Sequence, residues 1–142
     1  HLLHGLIMSF CITDFNAVNN PVVSDTCFAT ATRNLTINKG TTFGLSFVLS
    51  KDGDLADLSG YTVRSAIKAS YDSADDLVYM STSNQMITVQ LDTSEVVMNI
   101  PEKVTRRIPV ALGVYDIELI SSTGQTAQII KGTVTFNDQV TT

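Results

Sequence analysis

The clearest pattern in the chain is an alternation of apolar and polar residues across residues 112–136. Tyr115, Ile117 and Leu119 alternate with acidic residues, the polar stretch 121–125 follows, and a second apolar run then returns. Because neighbouring side chains of a strand point to opposite faces, this pattern predicts a β-hairpin with one apolar face. Such a hairpin needs a second sheet to cover that face.

The same alternation recurs upstream of the hairpin, with turn residues between the runs. Together with the hairpin, these runs predict about seven or eight strands, which is typical of an antiparallel β-sandwich. Between them, residues 101–109 have helical spacing: Val104 and Ile108 lie four apart, Pro101 suits the first helical position and Pro109 ends the helix. We therefore expect an all-β sandwich with one short helical turn.

The alternation assigns one side of each strand to the core. Large apolar side chains at these positions are expected to hold the two sheets together. The predicted core positions are Phe43, Leu45, Phe47, Tyr61, Val63, Tyr115, Ile117, Leu119, Val134 and Phe136.

Residues 1–33 lack this regularity, and we interpret them as an extended N-terminal arm ahead of a sandwich domain at 34–142. Residues 1–7, before Met8, are interpreted as a leader or an extension. Exposed apolar residues would make a free arm prone to aggregation, so we expect it to lie against the body or a neighbouring subunit. Its removal is then expected to leave a folded body that does not assemble. The candidate assembly contacts are Leu2, Leu3, Leu6, Ile7 and Phe10.

Composition and charge narrow the range of partners. The 142 residues form one domain of ordinary size, with 44% hydrophobic and only 16% charged residues. The net charge is -5 and the nine Lys and Arg residues are scattered, so the chain lacks the basic face that DNA binding requires. The apolar opening stretch is too short to span a bilayer. We expect neither a nucleic-acid nor a membrane partner.

The two cysteines, Cys11 and Cys27, are sixteen residues apart and have neither CxxC spacing nor a neighbouring histidine in the body of the chain. This spacing makes a poor metal site. Buried or incidental free thiols are the favoured interpretation, and a disulfide between them stays open. The sequon at 34–36 would accept a glycan only in a secretory pathway.

Two acidic clusters, at 52–57 and 72–76, have oxygen ligands that suit calcium. Neither follows the spaced acidic loop of a calcium site, and Asp-Gly is the favoured chemistry of a tight turn. We interpret the first cluster as a turn and the second as a solvated loop. No metal site is predicted.

The remaining candidates for catalysis are Asp116 and Glu118, which share one side of a strand. Paired carboxylates can hydrolyse glycosides across a cleft, but these two are expected on an exposed sheet face without an aromatic platform for a sugar, and the chain has no Trp. A solvated outer face is the favoured interpretation. His1 and His4 lie in the leader, so the body offers no histidine for acid-base or nucleophilic catalysis. No enzyme activity, catalytic residue or cofactor is predicted.

The order of elements carries more information than any single residue. An L-x-G-Y-x-V strand follows an acidic turn, a later strand leads into the short helical segment, and a Y-D-x-E strand, a glycine turn and a G-x-V strand close the chain. The residues at these positions are Leu58, Gly60, Tyr61, Val63, Tyr115, Asp116, Glu118, Gly124, Gly132 and Val134. Over about residues 35–140 the chain resembles a small immunoglobulin-like domain of tailed-phage virion proteins, especially the N-terminal domain of the baseplate upper protein family.

This resemblance implies an immunoglobulin-like antiparallel β-sandwich and a non-enzymatic structural role in the virion of a tailed bacteriophage. The chain would be a tail, neck or baseplate subunit that contacts copies of itself and other virion proteins in a symmetric assembly. It ends after the hairpin, where multi-domain members continue, so a capsid decoration or cement protein is an alternative. A host-surface glycan-binding module is the alternative from another class, and exposed rings of Tyr61, Tyr79 and Tyr115 lining a groove would favour it.

Overall fold

The structure is a computed structural model that describes residues 10–28 and 30–138. Two β-sheets enclose one hydrophobic core, and the described residues form twelve strands and one short helix. The predicted all-β sandwich is therefore confirmed, but its described residues form twelve strands instead of seven or eight, because three come from the predicted arm and one is a two-residue strand after the first acidic turn. The strands are β1 (Phe10–Ala17), β2 (Thr26–Phe28), β3 (Ala31–Thr32), β4 (Leu35–Asn38), β5 (Phe43–Lys51), β6 (Asp54–Leu55), β7 (Thr62–Lys68), β8 (Val78–Ser81), β9 (Ile87–Gln90), β10 (Glu95–Ile100), β11 (Leu112–Ile120) and β12 (Thr126–Asn137).

The first sheet is antiparallel and has the order β2-β1-β5-β10-β9, with β6 paired to the end of β5. The second has the order β3-β12-β11-β7-β8, and β4 also pairs with β12. Strands β3 and β4 run parallel to β12, whereas the other pairs are antiparallel. Placing β5, β10 and β9 in one sheet and β12, β11, β7 and β8 in the other is the strand division of an immunoglobulin-like sandwich.

Nine of the ten predicted core residues are buried, each less than 5% exposed. Along β5, the inward side chains from Phe43 to Leu49 are buried and the residues between them are partly exposed, as strand alternation requires. The exception is Tyr61, which is partly buried and packs against the edge of the core.

The described part of the predicted arm belongs to the sandwich, which corrects its interpretation as a segment ahead of the domain. Strand β1 pairs with β5, and Phe10 is buried in the core. The pairing register of β1 shifts between Thr13 and Asn16, where Asp14 has a φ of 52°. Because of this bulge, Phe15 points into the core. Without it, alternation from Phe10 would place the polar Asp14 and Asn16 in the core instead.

Cys11 and Cys27 form a disulfide, so the favoured interpretation as free thiols is wrong. The two residues lie directly opposite each other in the antiparallel pair of β1 and β2. A cross-strand position of this kind brings the Cβ atoms within bridging distance. The disulfide covalently attaches the three-residue edge strand β2 to β1.

The predicted helical turn is α1, Glu102–Thr105. Pro101 precedes it as the N-cap, with an extended ψ of 154°, instead of occupying the first helical position. The buried Thr105 hydroxyl accepts a hydrogen bond from the Gly40 amide at 3.1 Å and donates to the Thr41 carbonyl at 2.7 Å. The helix is thereby fastened to the turn between β4 and β5.

Candidate functional site

The outer surface of β7, β11 and β12, here called the polar face, carries paired charged and amide groups. Arg64 Nε donates to Glu118 Oε1 at 2.7 Å, and the two side chains are 43% and 23% exposed. This hydrogen bond raises the pKa of Arg64. An ion pair this accessible to solvent contributes at most about 1 kcal/mol to stability, but it fixes the positions of both side chains.

A β-bulge in β12 places Gln128 beside Asp116 on the polar face. The pairing of β12 with β11 shifts by one residue, so that Ile129 and Ile130 are both buried and Gln128 lies on the outer side. Gln128 Nε2 donates to Asp116 Oδ2 at 3.1 Å. Bulges commonly redirect side chains in this way next to functional sites.

Asp116 is half-buried, and this burial raises the pKa of its carboxyl group. The hydrogen bond from Gln128 acts in the opposite direction, while the negative charge of Glu118 raises the pKa further. The alternation of β11 predicts that Asp116 and Glu118 form a solvated face. Both lie on the outer side, as expected, but each is engaged by a neighbouring side chain and Asp116 is only partly hydrated.

A groove of about 170 Å³ opens on the polar face next to Asp116. We call it the polar-face groove. On its rim, Tyr71 from the β7–β8 loop is 65% exposed, and Lys68 Nζ lies 3.9 Å from Asp76 Oδ1. The side chains that line the groove include Ala66, Lys68, Tyr71, Val114, Asp116 and Gln128.

Tyr115 on β11 is hydrogen-bonded to the segment between β3 and β4. Its hydroxyl donates to the Arg33 carbonyl at 2.6 Å, and burial raises the pKa of this phenol well above its ordinary value. The Arg33 guanidinium lies 5.5 Å from the ring centre of Phe15, and its Nη2 donates to the Ser24 carbonyl at 3.0 Å and to the Thr26 hydroxyl. Arg33 therefore links β1 and β2 to the second sheet.

At Gly132 the backbone of β12 passes close to the backbone of Arg33. A Cβ atom there would lie 2.2 Å from the Arg33 carbonyl oxygen, far inside van der Waals contact. The neighbouring Thr133 amide donates to Asn34 Oδ1 at 3.0 Å. In the sequence, Gly132 stands out only as part of the hairpin pattern, whereas its structural role is to admit the backbone that joins β3 to β4.

The two acidic clusters have the local structures that the sequence predicted. Asp52 and Gly53 both have positive φ values, 54° and 86°, as the tight turn between β5 and β6 requires. Asp57 Oδ1 accepts hydrogen bonds from Ser59, which lower the pKa of Asp57. Among the described residues, no group of three or more His, Cys, Asp or Glu side chains is arranged to hold a metal ion.

The three tyrosines that would mark a glycan groove do not lie together as exposed rings. Tyr115 is buried, Tyr61 is partly buried, and Tyr79 on β8 is 46% exposed. Of the candidate assembly contacts, Phe10 is buried in the core of its own chain and is therefore not an exposed contact. The other four, Leu2, Leu3, Leu6 and Ile7, lie outside the described residues, as do His1 and His4.

Four residues of the site, Arg33, Lys68, Tyr71 and Gln128, are not predicted from the sequence. Lys68 lies at the end of a strand and Tyr71 in a polar loop. Lysine and tyrosine are common at such positions, so the sequence gives no sign of a site there. Gln128 did have a signal, because the consecutive isoleucines that follow it interrupt the alternation of β12 and indicate a bulge. Arg33 had none, because it lies in an irregular stretch and no residue type or spacing indicates its contacts with Phe15, Ser24 and Tyr115.

In sequence comparisons, no protein-family model matches the chain, and no curated protein matches it. Within the residues that the structure describes, no helix has the length and apolar character needed to cross a membrane.

Proposed function

We propose that this protein is a non-enzymatic structural subunit of a tailed bacteriophage particle, in the tail, neck or baseplate, assembled through symmetric contacts with copies of itself and with other virion proteins. The observation that carries the proposal is the closing hairpin of β11 and β12. Three of the residues that carry the resemblance to virion domains, Tyr115, Gly124 and Gly132, have architectural roles there. Tyr115 and Gly132 contact the backbone of Arg33, whose side chain reaches the first sheet, and Gly124, with a φ of 89°, forms the turn.

The loop between β1 and β2 supports the assembly part of the proposal. It presents three exposed valines, of which Val22 is 88% exposed. Val18, at the start of the loop, also lines a shallow groove of about 340 Å³ on the outer side of the first sheet, with Gly44 and Val97. Apolar side chains grouped in one protruding loop are suited to burial against a neighbouring subunit.

The decisive experiment is mass spectrometry of density-purified particles from a lysate of the host that carries the gene. Peptides of this chain should co-purify with the particles. A small fixed copy number relative to the major capsid protein supports a tail, neck or baseplate position, whereas a copy number close to that of the capsid protein indicates a decoration protein. Peptides found only in the soluble fraction contradict the proposal.

Self-association is tested on the purified chain by light scattering during size-exclusion chromatography. The expected mass is a multiple of 15.4 kDa, and Val22→Asp should lower it because a charge in an apolar contact is costly. Leu91→Asp is the matched control, since Leu91 is 56% exposed and lies on a different loop, after β9. A monomer at every concentration, or equal effects of both substitutions, contradicts assembly through this loop.

A further inference from the structure

The polar-face groove combines hydrogen-bonding groups of both kinds with one accessible aromatic ring. Asp116 provides a carboxylate, Gln128 an amide, and Lys68 an ammonium group. Tyr71 stands at the rim with most of its ring in solvent. An apolar ligand, or a ligand with a single charged group, would contact only some of these four side chains.

The donors and acceptors match the chemistry of adjacent hydroxyl groups. A hydroxyl both donates and accepts, so one hydroxyl can donate to a carboxylate while its neighbour interacts with an amide or an ammonium group. The Gln128–Asp116 hydrogen bond holds these two side chains in place before any ligand arrives, which reduces the ordering cost of binding.

The size of the groove limits the ligand to a single ring. Its volume of about 170 Å³ lies below the roughly 300 Å³ at which pockets for drug-sized ligands begin. Tyr71 can cover one face of such a ring, because an aromatic side chain offers a broad apolar surface at a low cost in conformational entropy. Ala66 and Val114 add small apolar contacts between the polar groups.

We propose that the polar-face groove binds one pyranose ring of a saccharide. Asp116 and Gln128 form hydrogen bonds with adjacent hydroxyl groups of the sugar, and Lys68 donates a hydrogen bond to a ring substituent. Tyr71 packs on the face of the sugar ring. This inference goes beyond the proposed structural role and does not depend on it. A structural subunit with such a groove contacts saccharide as well as protein.

The test is a titration of the ¹⁵N-labelled protein, followed by amide chemical shifts, with D-glucose, D-galactose, D-mannose and N-acetyl-D-glucosamine in turn. At least one sugar should produce saturable shifts at residues 66–71, 114–116 and 128, with a dissociation constant on the order of 1 mM, as expected for a ligand of this size. The proposal is overturned if none of the four sugars gives saturable shifts, or if the shifts map to another surface. Saturable binding of free glycine, a zwitterion without hydroxyls, in place of every sugar also overturns it.

Substitutions then separate the ring contact from the polar contacts. Tyr71→Ala and Asp116→Ala should each weaken binding tenfold or more, whereas Tyr71→Phe, which keeps the ring, should change it less than about threefold. Tyr79→Ala is the matched control, because Tyr79 is an exposed tyrosine that does not line the groove. The amide spectrum of each variant reports whether it is folded. Unchanged binding in a folded Tyr71→Ala variant, or equal losses in Tyr71→Ala and Tyr79→Ala, contradicts the proposed site.

Discussion

The closing hairpin, β11 and β12, and the N-terminal strands, β1 to β3, fill the same core in different ways. Along the hairpin, regular alternation buries one side of each strand, interrupted once by the bulge at Ile129. The N-terminal strands are short or bulged, and specific links hold them: a disulfide, the contacts of Arg33 and the Tyr115 hydroxyl. The difference teaches that a segment without a periodic pattern can still be integral to a sandwich when a few long-range contacts determine its place.

The largest effect is expected from deletion of residues 1–33. This deletion removes five buried core residues, the strand β1 that pairs with β5 and the strand β3 that pairs with β12. The remaining chain should therefore lose cooperative thermal unfolding, measured by circular dichroism. The sequence alone predicts the opposite, a folded body. Deletion of residues 1–9, which removes none of these five core residues, is the control for shortening the chain. A cooperative transition in the longer deletion would show that the N-terminal strands are dispensable.

Tyr115→Ala tests the hairpin side of the comparison. It should lower the free energy of unfolding by about 3 kcal/mol or more, because it removes a large buried aromatic side chain. Tyr115→Phe keeps the ring and removes only the hydrogen bond to the Arg33 carbonyl, so its cost should be about 1 kcal/mol. Chemical denaturation measures both. An unchanged denaturation midpoint in Tyr115→Ala would contradict the inward orientation of this side chain.

Combined Cys11→Ala and Cys27→Ala substitution tests the covalent link in the N-terminal strands. A disulfide that closes a loop of this length stabilises by about 2–3 kcal/mol, chiefly by restricting the unfolded chain. Chemical denaturation of the variant should show a loss of that size. The unsubstituted protein in excess dithiol reductant is the control and should show the same loss. Equal stability with and without reductant would mean that the link contributes nothing.

The smallest effect concerns the outer side of the hairpin and depends on pH. Because burial raises the pKa of Asp116 in the folded protein, ionisation costs more there than in the unfolded chain. Asp116→Asn should therefore be more stable than the unsubstituted protein at neutral pH, by at most about 1 kcal/mol. This advantage should disappear as the pH falls through the raised pKa to the ordinary range of aspartate.

Asp57→Asn is the control of opposite sign for this titration. Hydrogen bonds from Ser59 lower the pKa of Asp57, so its ionised form favours the folded state. Asp57→Asn should be the less stable protein at neutral pH, and the difference should vanish as the pH falls through the lowered pKa. Thermal melts over a pH series measure both variants. The same sign for the two substitutions would contradict the assigned environments.

The sequence predicts most of the strands, because the alternation of apolar and polar residues that identifies a strand is a pattern of neighbouring residues. Alternation in β5 and β11 reveals which side is buried, and Pro101 and Pro109 frame the helical turn. It does not predict β1, because the bulge at Asp14 shifts the alternation midway along the strand. The apparent arm is the result of that shift.

The candidate site was less predictable than the fold. Asp116 is a candidate from the sequence because it is a carboxylate near a second one. Its partner Gln128 lies beside it only because of the bulge in β12. Tyr71 belongs to a loop, in which no periodic pattern indicates where a side chain points. Tyr115 and Gly132, which both contact the backbone of Arg33, lie 82 and 99 positions after it in the sequence. Contacts between residues so far apart in the sequence depend on how the strands are connected. A pattern of neighbouring residues does not contain that information.

The parallel pairing of β4 with β12 has a consequence for synthesis of the protein. Asn34 and the Thr133 amide that binds it are separated by 99 positions, so a ribosome must add nearly the whole sandwich before β4 can meet its partner strand. At ordinary rates of elongation this interval is about 5–20 s. For that time the first strands of the nascent chain lack the edge that completes the second sheet, and the fold closes only when β12 emerges.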